Sequence, residues 1–243
     1  MPARAILTYH SVDDSGSVIS VSPGRFAEDV AWLASGAVEV LSVAELIAYR
    51  GARHAVAITF DDAFDNFAIH AWPRLREHEL PATMFVPTAF VGQRNSWDTM
   101  PGGAMPNLAL MTWETIAKLA EDGLTIGAHT RTHPDLRPLD DASLQTEIRG
   151  ALDDIARKTG RRPEGFAYPY GYHDRRVVAA VRANCAWACT TRLGVLKEHQ
   201  DVHCLPRLDA YFLRGPGRLG RFPAVSFRAY MSLRAGIRRI RGR

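Results

Sequence analysis

The sequence predicts an α/β fold: a parallel sheet, open or closed into a barrel, with helices packed on its outside. Three observations predict it. Short apolar runs alternate with amphipathic segments along most of the chain, which is the rhythm of repeated β–α units. One run, residues 55–60 (AVAITF), is continuously apolar, as strands covered on both faces are. Seven or eight such runs fall within roughly the first 210 residues, a number that suits a closed barrel.

The elements follow in order. Residues 5–9 (AILTY) read as the first strand. Residues 23–35 read as a helix with Phe26, Val30, Leu33 and Ala34 on one face. Residues 38–41 form a short strand, and Ser42 with Glu45 three positions on is a capping box that opens the next helix. After strand 55–60 come a helix around 69–78 and a strand at 82–87. Thr112 caps a helix that runs to Ala120 and is ended by Gly123. Strand 124–128, helix 141–158, strand 165–168, helix 175–184, strand 187–191 and strand 203–208 complete the body. Residues 92–108 (GQRNSWDTMPGGAMPNL) break the rhythm as a long irregular loop, either a variable surface feature or a functional one.

The composition is that of a globular chain, 47% apolar and 23% charged over 243 residues, which excludes disordered, collagen-like and disulfide-stapled classes. The net charge of +4 is unevenly placed. Residues 213–243 hold nine arginines and no acidic residue, so the first 212 residues carry a net charge of −5. A basic nucleic-acid-binding body is therefore not expected. The chain divides into a body, 1–212, and a basic tail, 213–243. Residues 213–223 are Gly, Pro and Arg rich and read as a linker. Residues 227–240 read as a basic amphipathic helix that can lie on an anionic membrane surface, pack on the body or stay disordered. Cys185, Cys189 and Cys204 are too few and unevenly spaced for a disulfide framework or zinc knuckle, and read as plain thiols of a reducing compartment. With no signal-like start and no apolar run near the ~20 residues of a membrane span, the expected location is cytoplasmic, with peripheral contact at the inner membrane face through the tail.

Polar residues gather where predicted strands end, and in parallel α/β folds those ends form the active face. AILTY runs into His10, AVAITF into Asp61 and Asp62, LTIGA into His129, and FAY into Pro169, Tyr170 and Gly171. Adjacent carboxylates repel, so Asp61 and Asp62 are expected to do different work. His129 and His133 have a spacing that lets two imidazoles reach one ion. With one aspartate they make a two-His-one-carboxylate set that leaves positions open for water and substrate, a site suited to Lewis-acid hydrolysis. There is no nucleophile elbow, phosphate loop or dinucleotide fingerprint.

Taken in order, Thr59-Phe60-Asp61-Asp62-Ala63, then His129-Thr130-Arg131-Thr132-His133-Pro134, then Tyr168-Pro169-Tyr170-Gly171 resemble the motifs of the polysaccharide deacetylases (NodB homology, carbohydrate esterase family four). The resemblance spans roughly residues 5–210. It implies a distorted (β/α) barrel of about seven strands and metal-dependent removal of N-acetyl groups from sugars. It implies that Asp62, His129 and His133 bind the metal, most often zinc, with nickel, cobalt or iron also serving. It gives Asp61 the role of general base and the Tyr170 backbone N–H a place in stabilising the oxyanion. The implied partner is an N-acetylated carbohydrate, and nucleic acid is not a partner.

Two departures stand out. Ala167 occupies the position where the family usually has an arginine that holds the catalytic aspartate; Arg207, in the last strand, is the candidate substitute. No leucine-x-histidine motif supplies the general acid. His10 is the first candidate, because deacetylases with a reordered motif set place a Tyr-His after the first strand, and His203 is the second. His199 reads as structural, His54, His70, His78 and His173 as surface or helix-face residues, and Asp65 as a cap for the following turn. Tyr172, Trp97 and Trp113 are candidate sugar platforms, each also readable as core. Two other functions remain open: hydrolysis of a different C–N bond, such as deformylation, and carbohydrate binding without catalysis, which Ala167 favours and the intact Asp61, Asp62, His129 and His133 oppose.

Overall fold

The computed structural model describes residues 2–97, 106–215 and 217–240. The chain opens with β1 (Arg4–Tyr9), followed by the short parallel pair β2 (Ser11–Val12) and β3 (Ser20–Val21). Then come α1 (Pro23–Ala34), β4 (Glu39–Val40), α2 (Val43–Ala48), β5 (Ala55–Phe60), α3 (Trp72–Glu77), β6 (Ala82–Val86), α4 (Trp113–Glu121) and β7 (Thr125–Ala128). The second half holds α5 (Asp141–Thr159), β8 (Gly165–Ala167), α6 (Arg175–Arg182), β9 (Trp187–Leu193), β10 (Leu205–Asp209) and α7 (Val225–Ile240).

Strands β1, β5, β6, β7, β8, β9 and β10 are parallel neighbours in that order, and β1 pairs with both β5 and β10. The result is the expected closed barrel of seven strands. β4 adds to the first part of β5, on the edge that β6 takes over further along.

Strand parity fixes what the barrel holds. Ile6, Ala55, Ala57, Phe85, Ala167, Trp187, Cys189 and Leu205 pack together with Val43 and Leu46 of α2 in one buried cluster. Their neighbours Leu7, Val56, Ile58 and Ala188 pack in a second cluster with Phe26, Val30, Leu33, Ile148 and Leu152 of the helices. Side chains alternate with period two along a strand, so the first cluster fills the barrel and the second lies between strands and helices. Continuing that parity, position 59 on β5, position 61 just past its end and position 207 on β10 point to the barrel axis. Gly127 of β7 has a reason of its own: a Cβ there would lie 2.5 Å from the Phe85 ring, which crosses the interior.

The two helix starts named from sequence, the capping box at Ser42 and the cap at Thr112, both form, and the structure adds three more caps. Ser42 and Glu45 form the reciprocal capping box, and Ser22, Thr112, Asp140 and Asp174 each accept an N–H of the first turn. Two features differ from the sequence reading. β2 and β3 are two residues long, too short for any periodicity to show. Residues 213–223 are not an extended spacer: Leu213, Leu219 and Phe222 enter the main core alongside Phe227 and Met231 of α7. The Gly, Pro and Arg content masks a few apolar side chains, and those side chains decide the packing. The apolar side of α7 is thereby turned toward the body. Residues 98–105 of the long loop, and Arg241 and Arg243 of the tail, lie outside the described residues. Among the described residues, no helix is long and apolar enough to cross a membrane.

Candidate metal and catalytic site

The site is built where β1, β5, β7, β8 and β10 end. On a regular strand Asp61 and Asp62 would face opposite sides. Asp62 and Ala63 instead adopt left-handed backbone (φ 71° and 55°), which turns the chain at the barrel mouth. Among the described residues, non-glycine positions with positive φ are Asp62, Ala63, Glu79, Thr130, His133 and Tyr170, and all but Glu79 belong to this site. Such backbone costs of order 1–3 kcal/mol per residue and persists only where the surroundings enforce it.

Asp62, His129 and His133 are all buried and converge. The Nε2 atoms of both histidines lie 3.6 Å from Asp62 Oδ1, and 3.2 Å from each other. Tetrahedral bonds of about 2.0–2.2 Å would set donor atoms roughly 3.3–3.6 Å apart. The three residues therefore fit one divalent ion. His129 Nδ1 lies 2.7 Å from the Ala167 carbonyl. A carbonyl only accepts, so Nδ1 carries the proton and the Nε2 lone pair would be available to such an ion, the outer support usual for a ligating histidine. Burial first, and then the neighbouring His129, hold the His133 imidazole well below its ordinary pKa, in the neutral form that ligates.

Asp61 lies beside this triad and is treated differently. Its carboxylate accepts two parallel bonds from Arg207, Nη1 to Oδ1 and Nη2 to Oδ2, each 2.7 Å. Both side chains are only 2% exposed. Arg207 Nε donates to the Thr190 carbonyl at 2.9 Å, which fixes the plane of the fork. Burial by itself would raise the Asp61 carboxyl, but the charge and hydrogen bonds of Arg207, helped by His129 and His10, hold it well below the usual carboxylate range. Ala167 and Arg207 both face the barrel axis, from β8 and β10. The arginine absent at 167 is thus matched by one that reaches Asp61 from another strand.

His10 follows β1 at the mouth, with Nε2 3.7 Å from Asp61 Oδ2 and the side chain partly open to solvent. Asn66 steadies the segment after it, donating to Ser11 Oγ and accepting from the Val12 N–H. His203 is not brought to the site. It is buried, with Nε2 3.0 Å from the Cys185 carbonyl and Nδ1 facing Asp201. His203 precedes β10, whereas His10 follows the parallel strand β1, so His203 lies at the end of the barrel away from the mouth, packed where β9 begins. Tyr170 packs its ring on His133, with centroids 4.7 Å apart, and holds a left-handed φ of 57°.

The aromatic candidates divide. Trp97 lies over His133 at 5.0 Å, and Tyr172 sits beside Tyr170 at 5.6 Å. Trp113 packs against the main core instead. Asp65 makes no cap: the turn after it is π-helical over Phe67–Ala71, without a side-chain bond at its start. His70, His78 and His199 are exposed. His54 accepts the Ala3 N–H, and His173 stacks on Tyr168. The three thiols are free, and burial pushes Cys185 and Cys189 up to about 12.

One residue escaped the sequence reading. Glu147 of α5 accepts the Arg131 and Thr132 N–H groups on Oε2, at 2.9 and 2.8 Å, and the Thr132 hydroxyl on Oε1. With Thr130 Oγ1 accepting the His133 N–H at 2.9 Å, it holds the loop between His129 and His133. Nothing in sequence marks one glutamate of an amphipathic helix for this task.

The polysaccharide deacetylase family model matches residues 48–185, more than half of the chain. The chain is 24% identical over 214 residues to YxkH of Bacillus subtilis (strain 168), covering 85% of this chain and 71% of that one. It is 22% identical over 205 residues to the poly-beta-1,6-N-acetyl-D-glucosamine N-deacetylase of Staphylococcus aureus (strain N315), covering 78% and 67%. Among solved structures, IcaB from Ammonifex degensii superposes with a TM-score of 0.74 at 20% identity, over 93% of this chain and 98% of that one. With the motif residues assembled at the mouth of a seven-stranded barrel, the chain belongs to the polysaccharide deacetylase family.

Proposed function

We propose that this protein is a metal-dependent hydrolase that removes N-acetyl groups from an N-acetylated sugar within a polysaccharide or lipid-linked saccharide. The observation that carries the proposal is the pairing of a three-ligand cluster, Asp62, His129 and His133, with an ionised Asp61 clamped by Arg207. A divalent ion on that cluster, zinc first given two imidazoles and one carboxylate, supplies Lewis acidity toward an amide carbonyl.

The chain's own groups supply the rest. Asp61 accepts the proton of the attacking water, and its low proton affinity means that it passes the proton on. His10, 3.7 Å away, gives a proton to the departing sugar amine. The Tyr170 N–H serves the oxyanion of the tetrahedral intermediate. Water adds across the carbonyl, the C–N bond breaks, and the products are acetate and a free amine. Trp97, Tyr170 and Tyr172 offer ring faces on which a pyranose can pack.

Acetate release from N-acetylglucosamine oligomers, peptidoglycan fragments and lipid-linked saccharides tests this reading. Acetate from at least one class is expected. Metal binding without acetate would turn the reading toward another C–N bond, and sugar binding without metal toward a carbohydrate-binding protein. His10→Ala is expected to lower turnover by about 10²–10⁴-fold, the usual worth of a positioned acid. His203→Ala is expected to lower stability and leave turnover of the folded enzyme near wild type. The reverse pattern would remove His10 from its role.

A further inference from the structure

Beside the metal site, a cleft of about 330 Å³ runs from Tyr170 and Tyr172 along the end of β9 to Ala235 of α7. It is contiguous with the site, because the Tyr170 ring that opens it rests on the ligand His133. Its size is that of a small-ligand pocket. Its charge is unusual for this chain. The body is net acidic, yet the lining includes Arg192 and Lys197 and no carboxylate. Among the described residues neither cation has an acidic partner; Arg192 reaches only the Cys204 carbonyl, at 3.4 Å. Other arginines of the body, among them Arg137, Arg157, Arg162, Arg176 and Arg182, pair with carboxylates.

We infer that this cleft binds an oxyanion, a phosphate ester or carboxylate, carried by the substrate next to the acetylated sugar. The inference rests on the deacetylase reading and narrows its substrate class to anionic saccharides. A sugar seated at the metal ligands places its neighbour against Tyr170 and Tyr172, and the group beyond faces Arg192 and Lys197. Arg192 and Lys197 are exposed along the cleft, where two neighbouring cations without an acidic partner raise the local potential toward an oxyanion. A neutral saccharide would leave both cations without a partner. The inference also gives α7 a place in recognition, since Ala235 forms one wall. A larger side chain there would narrow the cleft, and an acidic one would oppose the ligand.

The test compares three matched N-acetylglucosamine trimers: neutral, phosphate-bearing and carboxylate-bearing. Binding is measured by calorimetry at low and at raised salt, and acetate release is followed in parallel. At least one anionic trimer is expected to bind 10-fold or more tightly than the neutral one, with the preference shrinking as salt screens it. The larger of the two preferences identifies the oxyanion. Lys197→Glu and Ala235→Glu should each cut the preference by 10-fold or more. Equal binding of all three trimers, or a preference that neither variant moves, overturns the inference. A binding preference that behaves as expected in a protein releasing no acetate supports the cleft and overturns the deacetylase reading instead.

Discussion

Arg207→Ala is expected to destabilise the protein by about 3–5 kcal/mol and to remove most of its activity. The stability loss follows from what remains behind. Asp61 is buried, and its two carboxylate oxygens each receive one guanidinium N–H. Breaking a buried pair from one side leaves an uncompensated charge, which costs far more than the pair itself contributes. The activity loss has a separate origin: without the fork, the carboxylate is neither fixed in position nor held ionised. Two further variants separate the effects. Arg207→Lys keeps the charge but not the bidentate geometry, and should recover part of the stability and less of the activity. Asp61→Asn with Arg207→Met removes both charges, and should recover stability while remaining inactive. Chemical denaturation and acetate release measure the two quantities. An Arg207→Ala protein of wild-type turnover would show that Asp61 needs no partner.

The same pair sets a pH dependence. The folded-state pKa of Asp61 lies well below its ordinary value. Its contribution to stability is therefore fully present above the unfolded pKa, near 4, and is lost as pH falls through the lower folded value. In Arg207→Ala the desolvation of Asp61 is no longer outweighed, and the shift reverses. The variant then relieves its buried charge by taking up a proton. The stability gap between wild type and variant should shrink from pH 7 to pH 4, and a gap that widened would contradict this account.

Much of the site was legible because its chemistry is local in sequence. Asp61 and Asp62 are adjacent, His129 and His133 are one short loop apart, and each group ends an apolar run. Arg207 was reachable because a barrel brings the last strand beside the first, and β1 does lie between β5 and β10. What could not be read depends on direction or on distant partners. His203 is the exception, since it starts its strand where His10 ends one, and it lies buried beside β9 away from the mouth. The left-handed turn that swings Asp62 into the mouth has no glycine to announce it. Leu219 and Phe222 sit in a segment whose composition suggests a linker, and only the surface of the body shows that they are covered.

Glu147 belongs to the same class of hidden residue, and it bears on the second large effect, loss of the metal. His133→Ala removes one of three ligands, and should abolish stoichiometric zinc binding at micromolar protein and reduce turnover to background. A chelator should do the same to the wild type, with activity returning when zinc is restored. Glu147→Ala touches no ligand, yet should weaken zinc binding by about 10–100-fold, the usual effect of removing a group that orients a ligand. The cause is geometric. Thr130 and His133 both hold left-handed backbone, with φ of 66° and 56°. Between them, two successive N–H groups converge on a single carboxylate oxygen, a small anion-binding nest whose occupant is Glu147. Without that occupant the loop relaxes toward ordinary backbone, and His133 Nε2 leaves its position opposite Asp62. Glu147→Gln retains an acceptor oxygen for these groups and should lose much less affinity than the alanine variant. A general loss of stability would lower the melting temperature of both variants and leave the zinc affinity of the folded protein alone. Zinc titration of folded metal-free protein therefore separates positioning from packing, and wild-type affinity in Glu147→Ala would rule out the positioning role.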